Sequence, residues 1–148
     1  MRATCFLLLG VILIGKAEEE VSNLSSSCLR CLCQLDGCDI NRGCASGSCG
    51  PFFIHELYWV EAGRPTLTPD DEPLSIEAYE RCASDYLCSI RTVKNYLIKH
   101  AQDCNEDGVT DCYDFMMINY NGGDNCSPPL NRTLDGRQMI SIFMECRF

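Results

Sequence analysis

Apolar positions recur at spacings of three and four from Ser84 to Gln102. Leu87, Ile90, Val93, Leu97 and Ala101 share one side of a helical wheel, while Arg91, Lys94 and Lys99 lie off it. That is the pattern of an amphipathic helix with one buried face, and Ser84 and Asp85 suit its start. A second helix is predicted from about Cys112 to Tyr120. Phe115, Met116 and Ile118 would be buried there, with Gly122-Gly123 ending it. Ser27 is placed to cap a short helix running through Leu35, closed by Gly37. A last short helix is predicted over Arg137 to Phe143, and Ile76 to Cys82 has room for one or two helical turns.

Other stretches lack that period. Phe52 to Val60, FFIHELYWV, is aromatic and β-branched. In so short an apolar run, periodicity does not choose between strand and helix. Cys38 to Gly50 is rich in Gly, Ser and Cys and reads as stapled turns. Arg64 to Leu74, RPTLTPDDEPL, carries three prolines and three consecutive acids and reads as an exposed loop. Glu18 to Ser26 is polar and predicted to be loose. No internal repeat is visible, and the chain is mostly helical with little strand.

The first 17 residues are set apart by their pattern. Arg2 precedes an apolar run from Phe6 to Ile14, and Gly15-Lys16-Ala17 puts small residues where a signal peptidase reads. This is the pattern of a secretory signal, too short to span a bilayer. The mature chain is expected to begin near Glu18, to lack a membrane span and to be secreted as a monomer.

Removing the leader changes the cysteine count. Of 13 cysteines Cys5 departs with it, and the even remainder in a short secreted chain reads as six disulfides. CLRC and CLC have metal-like spacing, but zinc–thiolate sites are rare in oxidising compartments. The charge changes too. Arg2 and Lys16 leave while all 21 acids stay, so ten cations face 21 acids, a balance of −11. Such a chain is repelled by nucleic acid and by anionic cell surfaces. Asn23-Leu-Ser25 and Asn131-Arg-Thr133 are glycosylation sequons, and Asn125-Cys-Ser127 is a third with a cysteine at its centre.

The sharpest local motif is DCNEDGVTDCYD. Asp103, Asn105 and Asp107 stand at positions 1, 3 and 5 of a twelve-residue loop, with Gly108 at 6, Val109 at 7, Asp111 at 9 and Asp114 at 12. This is EF-hand-like spacing, with helices predicted on both sides, and it suggests a structural Ca2+ ion. Calcium takes six to eight oxygens, and alternate side chains of a tight loop converge on one point. Position 12 is Asp, shorter than the usual bidentate Glu, and Thr110 replaces the usual apolar residue at 8. Disulfides from Cys104 and Cys112 would brace the loop.

The segments CLRCLCQLDGCD, SCGPFFIHELYWVEAGRP, YERCASDYLCSIRTVKNYLIKHAQDC and NGGDNC together resemble the invertebrate-type, or destabilase-type, lysozymes. The resemblance runs from about Ser27 to Cys126, with a weaker tail to Cys146, and the DCNEDG loop looks like that of insect relatives. It implies a small, mostly helical α+β lysozyme-like domain over residues 18–148, stapled by about six disulfides and carrying a groove. The implied activity is hydrolysis of peptidoglycan between its sugars, and some members are reported to cleave isopeptide bonds. Cys33–Cys38, Cys44–Cys49 and Cys82–Cys88 are the expected local bridges, and the other six cysteines allow 15 pairings.

The resemblance also locates candidate chemistry. A retaining glycosidase needs two carboxyl groups about 5 Å apart. One donates a proton to the leaving oxygen and the other stabilises or attacks the sugar cation. Asp36 occupies the place of the family's acid, a Glu. The shorter Asp sets its carboxyl back by about 1 Å, a displacement that can cost about a hundredfold. The family's second carboxylate lies before the SCG motif, where CASGSC is shorter and holds no acid; Asp39 is nearby but matches another position. Ser46 matches the proposed isopeptidase serine, His55 falls at the lysine base, and Asn119 at a family histidine.

The expectation is therefore a secreted lysozyme-like protein whose muramidase pair is degraded and whose groove binds peptidoglycan or another glycan, with Tyr58 and Trp59 as candidate stacking platforms. The alternatives are an active lysozyme using Asp36 with Asp39 in defence or digestion, a Ser46/His55 hydrolase of isopeptide bonds, and a purely structural disulfide-stapled protein.

Overall fold

The computed structural model describes residues 23–146, so the leader and the start of the mature chain lie outside the described residues. The described residues form six α-helices and one small sheet: α1 (Ser26–Leu35), α2 (Glu56–Glu61), α3 (Ile76–Ser84), α4 (Tyr86–Lys99), α5 (Cys112–Asn121) and α6 (Leu134–Glu145). The sheet has three two-residue strands in the order β1 (Cys44–Ala45), β2 (Ser48–Cys49) and β3 (Ile54–His55), all antiparallel. This is the expected mostly helical α+β architecture.

α5 is the central helix. Asp114, Phe115, Met116, Met117 and Ile118 are all buried in sequence, so the helix is enclosed on every side. α1 packs against α6 and α4, while α2, α3 and α4 pack on one another. The short apolar run resolves as both alternatives in turn: Ile54–His55 pairs in the sheet, and the next six residues form α2. The hairpin lies close against α3. Gly50 sits at φ 71°, and a Cβ there would stand 1.7 Å from the Ala83 carbonyl oxygen, so no larger residue fits without moving backbone.

Two sequence readings are corrected. Ser25, not Ser27, caps α1, its Oγ accepting the Cys28 N–H at 3.1 Å. The buried face of α4 is rotated from the expected one and consists of Cys88, Ser89, Thr92, Val93, Tyr96 and Leu97. Leu87 is 73% exposed, and Ala101 lies beyond the helix, which ends at Lys99. The reason is local. The Cys82–Cys88 disulfide turns Cys88 inward. Ser89 and Thr92 tolerate burial because their hydroxyls donate to the Tyr86 and Cys88 carbonyls.

Six disulfides join the twelve cysteines from Cys28 to Cys146. Cys33–Cys38, Cys44–Cys49 and Cys82–Cys88 are local, as expected. Cys28–Cys112, Cys31–Cys146 and Cys104–Cys126 are the long-range set. Cys104 and Cys112 do flank the acidic loop, each bonded to a different partner.

That loop is organised by Asp114. The residue is fully buried. Its Oδ1 accepts the N–H groups of Cys104 at 2.8 Å and Asn105 at 3.3 Å, and its Oδ2 accepts that of Asp111 at 2.8 Å. Asp111 returns the bond as the N-cap of α5, completing a capping box. Replacing Asp114 with Ala strands three backbone donors in or beside the core. Asp114→Ala is expected to cost about 3–5 kcal/mol, read from urea unfolding with the disulfides intact. A loss below about 1 kcal/mol would show that the loop is held by something else.

Candidate active site

Asp36 is the C-cap of α1, so the helix that carries it also aims it. Its N–H bonds back to Cys33 and Gln34, and the Cys33–Cys38 bridge closes the turn behind it. The carboxyl is half-buried. Burial raises its pKa from 3.8 to about 6, against the opposing pull of the Arg42 guanidinium. A carboxyl in this state still carries its proton in mildly acidic solution, as a general acid must.

Arg42 is held in place on this side of the site. Its Nη1 donates to the Asp36 carbonyl at 3.2 Å, and its guanidinium lies 3.7 Å from the centroid of the Phe53 ring. Phe53 is 40% exposed and adopts φ 48°, a left-handed conformation that bulky residues avoid. Its N–H bonds to the Gly50 carbonyl, which fixes the turn. The chemistry-bearing pair Arg42 and Phe53 was not singled out from sequence. An Arg-Gly turn and a run of aromatics are weak signals, and what joins these residues is tertiary.

Tyr58 lies close enough for the Asp36 charge to act on it. Its phenol donates to Asn119 Oδ1 at 3.0 Å, and its ring stacks on Tyr96 with centroids 3.8 Å apart. Burial first, then the charges of Tyr96 and Asp36, push its pKa well above the ordinary range, so it stays a neutral donor. Tyr96 packs against His100 and accepts the Gly123 N–H at 2.9 Å. Gly123 lies flat on the His100 ring, where a Cβ would stand 2.1 Å from the imidazole. Asn119, at the place of a family histidine, is thus used to hold Tyr58.

The other candidates fall elsewhere or are differently engaged. Asp39 is exposed, and its Oδ1 accepts the Asn41 N–H in its own turn. Trp59 is buried and donates to the Pro65 carbonyl, so it is core and not a sugar platform. Tyr58 has one ring face covered by Tyr96. Ser46 and Gly47 form the two-residue β1–β2 turn with φ 53° and 82°. His55 reaches this turn across the sheet, its Nδ1–H donating to the Gly47 carbonyl at 2.9 Å. That bond leaves Nε2 as the acceptor. The sheet brings Ser46 and His55 to one end, but no hydrogen bond joins them among the described residues.

The acidic loop has its oxygens turned to backbone donors. Asp103 accepts the N–H groups of Asp107 and Gly108, and Asp107 accepts that of Val109. The Asn105 amide donates to Asp107 Oδ2. Asp111 and Asp114 are committed to the α5 cap. Among the described residues no group of three or more His, Cys, Asp or Glu is arranged to hold a metal ion. Hydrogen bonds within the turn link Asp103, Asn105 and Asp107 to its backbone and to one another.

Comparison with known proteins follows the same outline. The destabilase family model matches residues 25–141. The chain is similar to invertebrate-type lysozyme 3 of Caenorhabditis elegans, 32% identical over 109 residues, 70% of this chain and 75% of the nematode protein. It is similar to a lysozyme of Ostrea edulis, 31% identical over 117 residues, 74% of this chain and 75% of the oyster protein. Among solved structures it resembles a chain in the complex of Aeromonas hydrophila PliI with Meretrix lusoria lysozyme. There the TM-score is 0.58 at 27% identity, covering 83% of this chain and 93% of that one. A second match, inhibitor-bound lysozyme from Meretrix lusoria, has a TM-score of 0.53 at 29% identity, covering 70% and 79%.

The raised Asp36 pKa has a measurable sign. Folded protein keeps this proton up to about pH 6, whereas the unfolded chain releases it near 3.8. The folded state therefore binds more protons between those values, and the Asp36 contribution to stability falls as pH rises through that window. Comparing unfolding of wild type and Asp36→Asn from pH 3.5 to 7 isolates this contribution. The wild type is expected to lose stability relative to the variant as pH rises, and parallel curves would show an ordinary, solvated carboxyl.

Proposed function

The chain belongs to the destabilase family, the invertebrate-type lysozymes, and from that premise we propose that it binds peptidoglycan-type glycan at the Asp36 site and hydrolyses it slowly. The observation that carries this reading is the company of Asp36: a proton donor set up by burial, with a guanidinium as the charged group beside it. Glycosidic cleavage builds positive charge on the sugar, and an anion must face it. A fixed cation does the reverse. Two like charges about 7 Å apart repel by about 2 kcal/mol at an effective dielectric of 20, a factor of about 30 in rate. The setback of an Asp in place of a Glu acts in the same direction.

Two features support the setting. Six disulfides suit an oxidising, extracytoplasmic compartment, and no described helix is long and apolar enough to cross a membrane. The excess of acids over cations disfavours attack on intact anionic cell walls, so soluble fragments are the better substrate. Defence by lysis is accordingly not part of this proposal.

A structural calcium ion on Asp103, Asn105, Asp107 and the Val109 carbonyl is a second, independent proposal. Its support is the turn at Gly108, φ 91°, which gathers the first three side chains. It does not call on Asp111 or Asp114. Extracellular modules of this kind bind calcium at about 0.1–1 mM.

Two measurements test these readings. Turnover of soluble peptidoglycan is expected to lie at least about a hundredfold below that of a lysozyme carrying both carboxylates, while binding stays detectable; Asp36→Asn removes the residual turnover. Rates equal to those of such a lysozyme would overturn the proposal. For the loop, about 5 mM calcium is expected to raise the Tm by about 3 °C over EDTA. Identical melting curves would leave the loop to its protein hydrogen bonds alone.

A further inference from the structure

Arg42 is held by the fold without a direct ion-pair partner, its charge acting on Asp36 only at longer range. One N–H goes to the Asp36 carbonyl, and the ring of Phe53 supports the plane. The Arg42 backbone N–H ties its turn to the Asp39 carbonyl at 3.1 Å. Among the described residues no carboxylate stands within ion-pair distance of this guanidinium. Arg81, by contrast, is closed onto Asp71. A chain with 21 acids and 12 cations has had ample opportunity to neutralise Arg42, and it has instead built a rigid, half-exposed cation beside its best-placed acid.

Phe53 adds a second, independent observation. A bulky side chain at φ 48° costs about 1–3 kcal/mol and persists where surrounding structure requires it, commonly at functional sites. Nothing in the core requires this ring, which is 40% exposed. Its role is to carry Arg42 and to present an apolar edge next to it. A planar guanidinium with free N–H groups matches a carboxylate in bidentate geometry, and being weakly hydrated it gives up water readily.

We propose that Arg42, carried on Phe53, anchors a carboxylate of the bound glycan, so that this site takes acidic sugars in preference to neutral ones. The inference rests on the glycan-binding reading above and specifies its ligand. A single carboxylate per disaccharide suits the site, because the strong negative balance of the chain repels polymers with a charge on every unit. Asp36 then faces a ligand oriented by its acid group.

The test titrates the full mature chain at pH 5, where Asp36 is protonated and sugar carboxylates are ionised, with three tetrasaccharides. They are chitotetraose, its C6-oxidised form bearing uronate groups, and the GlcNAc–MurNAc tetrasaccharide with free lactyl carboxylates. At least one acidic ligand is expected to bind about tenfold more tightly than chitotetraose. Arg42→Gln is expected to erase that preference while leaving chitotetraose affinity in place, and Arg42→Lys to retain part of it. Thermal melting of both variants confirms folding, and Arg42→Lys serves where Arg42→Gln melts early. A gain confined to one acidic ligand supports the proposal and places the carboxylate on the ring. Equal binding of all three overturns it and leaves the glycan-binding reading standing. An acidic preference that survives Arg42→Gln overturns it by placing the anion site elsewhere. No binding of any ligand overturns both.

Discussion

Helix α1 is fixed from three directions, and the rest of the site depends on that. Cys28 ties it to the start of α5, Cys31 to the end of α6 and Cys33 to the turn that follows it. In the chain-entropy view, a crosslink closing on the order of 100 residues stabilises the folded state by about 4–5 kcal/mol. Its positional effect matters as much here. Asp36 ends this helix, so the three bridges set where its carboxyl lies relative to Tyr58, Arg42 and α5. A helix of ten residues is too short to hold its own geometry; the sulfur atoms supply what propensity cannot.

Two carboxylates show how the same chemical group is put to opposite uses. Asp114 is fully buried, yet three backbone N–H groups converge on its carboxyl oxygens. Asp36 is less buried, but it lacks such a cradle, and its charge is penalised. The first is a structural acceptor, and the second is an acid poised to keep its proton. Burial alone does not separate the two; the hydrogen bonds offered to the ionised form do.

Much of the scaffold was legible because it obeys local rules. The even cysteine count, the central α5, the start of α4 at Asp85 and the local bridges follow from spacing and capping preferences. The face of α4 did not, because Ser89 and Thr92 look polar on a helical wheel but satisfy their hydroxyls on the helix itself. The long-range pairings were open because nothing in the spacing of Cys28, Cys31 and Cys104 distinguishes their partners. In the candidate site, Asp36 was found by resemblance. Its surroundings were not, since the positive φ of Phe53 and the approach of Arg42 are properties of the folded turn. Asp114 was expected as a metal ligand and acts as a cap. Both roles need a converging oxygen donor, and sequence records only the donor.

The path of the covalent bonds has a further consequence. The Cys31–Cys146 bond closes nearly the whole described chain into a ring, and Cys28–Cys112 adds a second closure that overlaps it. A protease that nicks one peptide bond anywhere between these termini, for instance in the proline-rich segment at residues 64–74, therefore releases no fragment. Both halves stay joined through sulfur, and the noncovalent core holds them in register. Such a molecule stays covalently whole after a first cut that would divide an uncrosslinked chain.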